Sequence, residues 1–280
     1  MTVDRLFVNR KEKTNAGDWW STPKHYFDEY KNDEWVDIFD LDKTVGLENY
    51  DQIIVGGGGL LFNDNFQKFI RLLEHPKVVD KVFYWAVGIN DKFNKTSTKE
   101  DIEDNLYNFN HIEGYHKIKT LDKKQINIRD RQDRYNIVPC ASCLHPIFDE
   151  KIETERKFLI IKHNKVMSFN KHSFWRENKI ISCIDNTIEN IVTEIKKSEI
   201  VYTQSYHGAY WSALCGKKTI IYTPWSTKFL NCDFPVKVMA RGEFLEVNYN
   251  EDIPEPDLNY LNECRTRNLK LYENINGLFR

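Results

Sequence analysis

Neither sign of charge is in surplus in this sequence. Its 40 lysines and arginines stand against 42 aspartates and glutamates, a formal net charge of −2 with a pI near 6.5. Nucleic-acid-binding surfaces normally bring a strong basic excess, so no nucleic-acid partner is expected. Long apolar runs are missing too. The longest, Ile53–Phe62 and Val82–Ile89, fall far short of the roughly 20 residues that cross a bilayer, and glycines interrupt both. No transmembrane segment is predicted. The opening Met1-Thr2-Val3-Asp4-Arg5 runs into a strand-like stretch with no basic segment ahead of an apolar one, so no signal peptide is predicted either. These absences point to a cytoplasmic protein, able to work beside a membrane without being inserted in it.

A disulfide framework is also lacking. Cys140, Cys143, Cys183, Cys215, Cys232 and Cys264 are scattered along the chain, and a reducing compartment keeps such thiols free. The close pair Cys140 and Cys143 has metal-ligand spacing, but no second Cys/His pair at comparable spacing accompanies it, as a structural zinc site requires. No metal site is predicted, and the pair reads as packing at a junction. The Gly56–Gly59 run is neither G-x-G-x-x-G nor a phosphate-binding loop ending in Lys and Ser/Thr, which disfavours nicotinamide and P-loop chemistry. Asp40-Leu41-Asp42 is the nearest match to a metal-binding Asp-x-Asp motif and reads as a turn.

What the chain does carry is apolar sequence enough for two cores. At 280 residues it suits two domains of about 100–150 residues each. Its 41% hydrophobic and 14% aromatic content places it among folded proteins. Strands are predicted at Arg5–Asn9, Val36–Asp40, Gln52–Val55, Lys81–Val87, Ile118–Leu121 and Ile126–Arg129, with helices over Thr22–Tyr30 and Phe66–Glu74. A junction follows around Pro139–Pro146. Beyond it a second series brings strands at Phe158–Lys162, Glu199–Thr203 and Thr219–Tyr222 and helices over Thr187–Lys197 and Gly208–Cys215. A last helix, Asn259–Asn274, is expected to pack back on one lobe. The reading is an α/β fold of two Rossmann-like lobes, residues 1–140 and 141–255, closed by residues 256–280.

Ligands of open α/β sheets bind outside the C-terminal ends of the strands, so the loops there are the candidates for chemistry. Gly56–Gly59 follows a buried strand, and glycines let backbone N–H groups approach an anion or a sugar hydroxyl; a tight turn that packs strand against helix explains them equally well. Asn15-Ala16-Gly17-Asp18 leads into a helix, where Asp18 can act as a cap or as a carboxylate beside a hydroxyl. Thr203-Gln204-Ser205-Tyr206-His207-Gly208 puts an imidazole at a strand end, and free imidazole can donate a proton near neutral pH. Arg129, at another strand end, can hold a carboxylate or phosphate with a bidentate fork, although the neighbouring Asp-Arg-Gln-Asp-Arg stretch also reads as a solvated face. Lys228 is a further cation after a late strand, or an ordinary surface lysine. Two facing lobes would bring these loops to one cleft.

The order of these motifs, from about residue 5 to residue 230, resembles the polysaccharide pyruvyltransferase family. The matching features are Asn15-x-Gly17-Asp18, Ile53-Ile-Val-Gly-Gly-Gly-Gly-Leu-Leu61, Trp85-Ala-Val-Gly88, Arg129-Asp130, Ser205-Tyr206-His207-Gly208, Ala213-Leu-Cys-Gly216-Lys217 and Ser226-Thr-Lys228-Phe229. The resemblance implies two lobes like those of GT-B glycosyltransferases, with the active site in the cleft between them. It implies transfer of the carbon skeleton of phosphoenolpyruvate to hydroxyls of a sugar or lipid-linked glycan, as a pyruvate ketal, with no cofactor beyond that donor substrate. Carried over, His207 is the proton donor and Asp18 the group that orients or deprotonates the acceptor. Arg129 and Lys228 hold the anionic donor, and Asn15, Gly57, Gly58, Gly59, Ser205 and Tyr206 complete the binding site. One departure stands out: many members have Arg where this chain has Ser205, which removes an expected anion ligand. A nucleotide-sugar-dependent glycosyltransferase and a non-catalytic glycan-binding protein on the same fold are the alternatives.

Overall fold

Strands that are apolar at every position, without alternation, must be covered on both faces. Three strands with such apolar centres stand in the middle of the N-terminal half: β1 (Arg5–Asn9), β3 (Gln52–Gly56) and β4 (Val82–Val87). The computed structural model describes residues 3–42, 46–61, 64–90, 125–131, 135–163, 177–240 and 252–278. In it these strands join β2 (Glu34–Asp37), β5 (Ile126–Ile128) and β6 (Asn136–Ile137) in a parallel sheet ordered β2-β1-β3-β4-β5-β6. The period of 2 divides their side chains between two cores. Leu6, Val8, Ile53, Val55, Val82 and Tyr84 face helix α2 (Asp64–Leu73). Phe7, Ile54, Phe83 and Trp85 face the opposite side, with Phe27 and Tyr30.

The second half repeats the plan. Strands β7 (Arg156–Lys162), β8 (Lys179–Ser182), β9 (Ser198–Thr203), β10 (Lys218–Tyr222) and β11 (Lys237–Met239) form a parallel sheet ordered β11-β10-β9-β7-β8. Its larger core lies under helices α3 (Ile188–Lys196) and α4 (Tyr206–Leu214). Strand order turns back between β1 and β3 in one sheet and between β7 and β9 in the other, and at such switch points the strand ends leave a crevice. Asp18 and the glycine run follow the first pair. His207 follows the second.

Several local expectations are corrected. The helix predicted over Thr22–Tyr30 is two 3₁₀ turns, Pro23–His25 and Asp28–Tyr30, because Phe27 between them is extended and packs its ring on Tyr30 and Tyr272. The strand predicted to Asp40 ends at Asp37, whose carboxylate accepts the Phe39 N–H at 2.8 Å and turns the chain. Edge strands β6, β8 and β11 were not anticipated, and the strand predicted at Ile118–Leu121 lies outside the described residues.

The last helix, α5 (Tyr260–Gly277), packs on both lobes and not on one. Tyr260 and Cys264 enter the C-terminal core, while Leu271 and Ile275 enter the N-terminal one. Midway between them Asn268 is fully buried. Its Oδ1 accepts the Trp85 indole N–H at 2.8 Å, and its Nδ2 donates to Pro139 O at 3.1 Å. That side chain stitches the first sheet to the junction. Among the described residues no helix is long and apolar enough to cross a membrane.

Candidate functional site

The loop after β1 opens into a one-turn helix, α1 (Ala16–Trp19). Asn15, and not Asp18, caps it: its Oδ1 accepts the Gly17 N–H at 3.1 Å, and its Nδ2 donates to Asp18 Oδ2 at 2.7 Å. Asp18 is thereby held within the first turn with its carboxylate aimed by the cap residue. Burial raises its pKa, while Lys228, Arg129 and Arg10 pull the other way. The same loop reaches the other lobe, where Ala16 N donates to Cys183 O at 3.2 Å and Asp185 N to Thr14 O at 2.7 Å.

The glycine run is used for packing as much as for display. Gly57 and Gly58 take positive φ, +55° and +78°, which a side chain resists. Gly57 N–H donates to Trp85 O at 2.8 Å and Gly58 O accepts from Gly88 N at 2.7 Å, so the Gly57 amide is not free for a ligand. Gly59 O accepts from Asn90 Nδ2 at 3.3 Å. Helix α2 begins only at Asp64, so the run does not itself form a helix N-terminus. The sequence reading as an anion cradle is accordingly narrowed to Gly58 and Gly59.

Arg129 lies just past β5 with 1% of its surface exposed. Its guanidinium stacks 3.7 Å above the ring of Tyr206, and Nε and Nη1 have no hydrogen-bond partner among the described residues. Asp130, read from sequence as part of a solvated face, is also 1% exposed. One of its oxygens accepts the Ile89 N–H at 2.6 Å; the other has no described partner. Burial, opposed by Arg129, pushes its pKa up to about 7.

From the second lobe, α4 starts at Tyr206, two residues earlier than predicted, and Ser205 is its cap, with Oγ accepting the Gly208 N–H at 3.3 Å. Ser205 therefore serves the helix. His207 falls in the first helical turn, buried, with its ring against α1. A Cβ on Gly17 would stand 2.7 Å from the ring Cγ, so only glycine fits there. Burial above all, then Arg129 and Lys228, hold the pKa of His207 well below the usual imidazole value, and the helix N-terminus acts in the same direction. The expected proton donor is therefore a neutral imidazole at physiological pH. Lys228 lies half-buried, its ammonium 3.8 Å above the Trp225 ring. Burial first and Arg129 second bring its pKa down to about 7, against Asp18 and Asp130.

No family model matches the chain, and no curated protein matches it. Among solved structures, an uncharacterized protein from Klebsiella pneumoniae subsp. pneumoniae NTUH-K2044 is similar at 14% identity, over 79% of this chain and 84% of that one, with a TM-score of 0.40. Function has to be read from the site's own residues.

The fold thus brings Asp18, Arg129 and His207 within reach of the Lys228 charge. A clasp seals one side: Ser226 Oγ donates to Asn90 Oδ1 at 2.7 Å, and Arg131 N donates to Asn231 O at 2.8 Å. Sequence reading missed Asn90 and the burial of Asp130, and gave Ser226 no role beyond its place in the Ser226-Thr-Lys228-Phe229 motif. The two clasp residues are 136 positions apart, so nothing local announces that they meet. Asp130 did carry a signal, since it follows the apolar Ile126–Ile128 strand at its buried end. The open hollow lined by Thr154, Lys157, Glu199, Lys217, Lys218 and Glu255 sits at the other, N-terminal ends of β7, β9 and β10. Among the described residues no group of three or more His, Cys, Asp or Glu is placed to hold a metal ion.

Proposed function

We propose that this chain is a transferase of the polysaccharide pyruvyltransferase type, moving the pyruvyl group of phosphoenolpyruvate onto hydroxyls of a sugar in a glycan or lipid-linked glycan precursor. The proposal includes a GT-B-like arrangement with the reaction in the cleft between the lobes. One observation carries it: a buried guanidinium with two unpartnered nitrogens stands beside an ammonium that burial and that guanidinium have driven down to about 7. A guanidinium with unused donors beside a second cation suits a small ligand with more than one negative charge. Phosphoenolpyruvate, with a phosphate and a carboxylate on one three-carbon unit, has that character.

The chemistry assigns each group a task. Arg129, oriented by Tyr206, holds one anionic group of the donor. His207, neutral, contributes a hydrogen bond without competing for the charge. Lys228, which exchanges its proton near neutral pH, delivers one to the methylene carbon. The carbon bearing phosphate then gains oxocarbenium character and bonds to an acceptor hydroxyl oxygen, whose proton Asp18 receives. A second hydroxyl adds to the same carbon, the bond to the phosphate oxygen breaks, and phosphate leaves. The two hydroxyl protons replace the one placed on carbon and protonate the departing phosphate.

The test is incubation with phosphoenolpyruvate and a panel of galactose-, mannose- and glucosamine-type acceptors. A product heavier by pyruvate less water, with release of phosphate, is expected. Loss of Arg129 in Arg129→Ala should weaken phosphoenolpyruvate binding at least about tenfold, from about 1.5–3 kcal/mol per charged hydrogen bond. If only nucleotide-sugars, or only free glycans, raise the melting temperature, the site belongs to a glycosyltransferase or a glycan-binding protein instead.

A further inference from the structure

Behind His207, on the side away from α1, lies a set of buried polar groups that the proposed reaction does not use. The Trp211 indole nitrogen is 3.0 Å from Ser142 Oγ, Ser142 Oγ is 3.3 Å from Cys140 Sγ, and Cys140 Sγ is 3.5 Å from His207 Nε2. Trp211 and His207 are successive-turn neighbours on α4, so the chain leaves the helix, passes through the Ala141–Leu144 turn and returns to it. Cys140 and Ser142 have no exposed surface. The Tyr210 hydroxyl holds the same turn in place by donating to Cys140 O at 2.8 Å.

The first member dictates the direction of the first two bonds in this chain, and the third follows from where the thiol proton can go. An indole N–H can only donate. Ser142 Oγ therefore accepts, and its single proton goes to Cys140 Sγ. The Ser142 backbone N–H bonds the same sulfur, and burial keeps the thiol protonated. Its S–H is left to point at the one remaining polar neighbour among the described residues, His207 Nε2. An Nε2 that accepts carries no proton.

We infer that Trp211, Ser142 and Cys140 form a one-way hydrogen-bond chain that fixes His207 as its Nδ1–H tautomer, which makes Cys140 a positioning residue for the cleft. The free histidine side chain prefers the other tautomer, so the protein is choosing. The chosen proton sits on the edge that packs against Gly17 and α1. His207 then has an N–H donor on that edge, of the kind a phosphate or carboxylate oxygen accepts, with Arg129 and Lys228 as the neighbouring cations. That last use rests on the transferase reading; the tautomer does not.

The chain labelled with ¹⁵N-histidine reports the tautomer in long-range ¹H–¹⁵N spectra, and the ring lost in His207→Gln identifies His207 among the eight histidines. A single Nδ1–H pattern is expected for the unaltered protein. Cys140→Ala should release it into a mixture containing Nε2–H, and Ser142→Ala, a smaller change, should do so in part. An Nε2–H ring in the unaltered protein overturns the inference, as does an Nδ1–H ring unchanged in both variants. The spectrum is independent of turnover. A chain showing Nδ1–H without transferring pyruvate keeps the relay and loses the transferase reading; active enzyme with Nε2–H does the reverse.

Discussion

Replacing Asp130 by Asn should flatten the pH dependence of stability between about pH 4 and about pH 7. In the folded protein burial holds this carboxyl at about 7, against an ordinary value of 3.8. A carboxyl whose folded pKa is raised binds its proton more tightly in the native state, so the stability it contributes is complete below 3.8 and is lost as pH rises through about 7. The span is about three pH units, and each is worth about 1.4 kcal/mol, giving about 4 kcal/mol as a ceiling. Relaxation around a buried anion reduces such figures, so about 2–4 kcal/mol is the expectation. Asn keeps an oxygen for the Ile89 N–H and never ionises. Urea unfolding of both proteins at about pH 4.5 and about pH 7.5 gives the answer, because the gap should shift toward Asp130→Asn by that amount between the two. Lys228 titrates in the opposite sense: its pKa is lowered to about 7, so its contribution grows with pH above that value and stays out of this window. Stability curves that run parallel across the range would show that Asp130 is already ionised in the native state, and the charge balance described for the site would be wrong.

Gly17→Ala should drive a methyl group into the His207 ring, which Trp211 and Cys140 back from behind, costing about 1–3 kcal/mol of stability in denaturant unfolding and abolishing stabilisation by phosphoenolpyruvate. An unchanged melting curve with ligand stabilisation intact would mean the ring has room to withdraw. Asn268→Leu, nearly isosteric, leaves the Trp85 indole N–H and Pro139 O buried without partners and should cost at least about 2 kcal/mol. A loss under about 0.5 kcal/mol in urea unfolding would show that α5 is not the strap its contacts suggest.

Much of the fold was legible in the chain because its signals are local. Buried parallel strands announce themselves as short apolar runs, and β1, β3, β4, β7, β9 and β10 were all anticipated within a residue or two. The failures share a cause. Thr22–Tyr30 has helical composition, but Phe27 gains more by joining Tyr30 and Tyr272 than by continuing a helix. Strands β6 and β8 are short and partly exposed, so they lack the apolar run that marks a central strand. The site was legible as residue types at strand ends, not as states. Ser205 and Asn15 cap helices, because both oxygens meet backbone N–H groups within three residues, a use that residue type at a strand end does not reveal.

By itself the sequence determined where strands end and hence which loops could meet a ligand, since apolar period and glycine placement are properties of neighbours along the chain. Only the tertiary structure decided which charges face each other and how deeply they are buried. Protonation follows from that: Asp130 and Lys228 are each moved by several pH units, and His207 is kept neutral, through desolvation and the field of Arg129. Those effects act through space over a few ångströms between residues up to about a hundred positions apart, a relation that no linear pattern encodes.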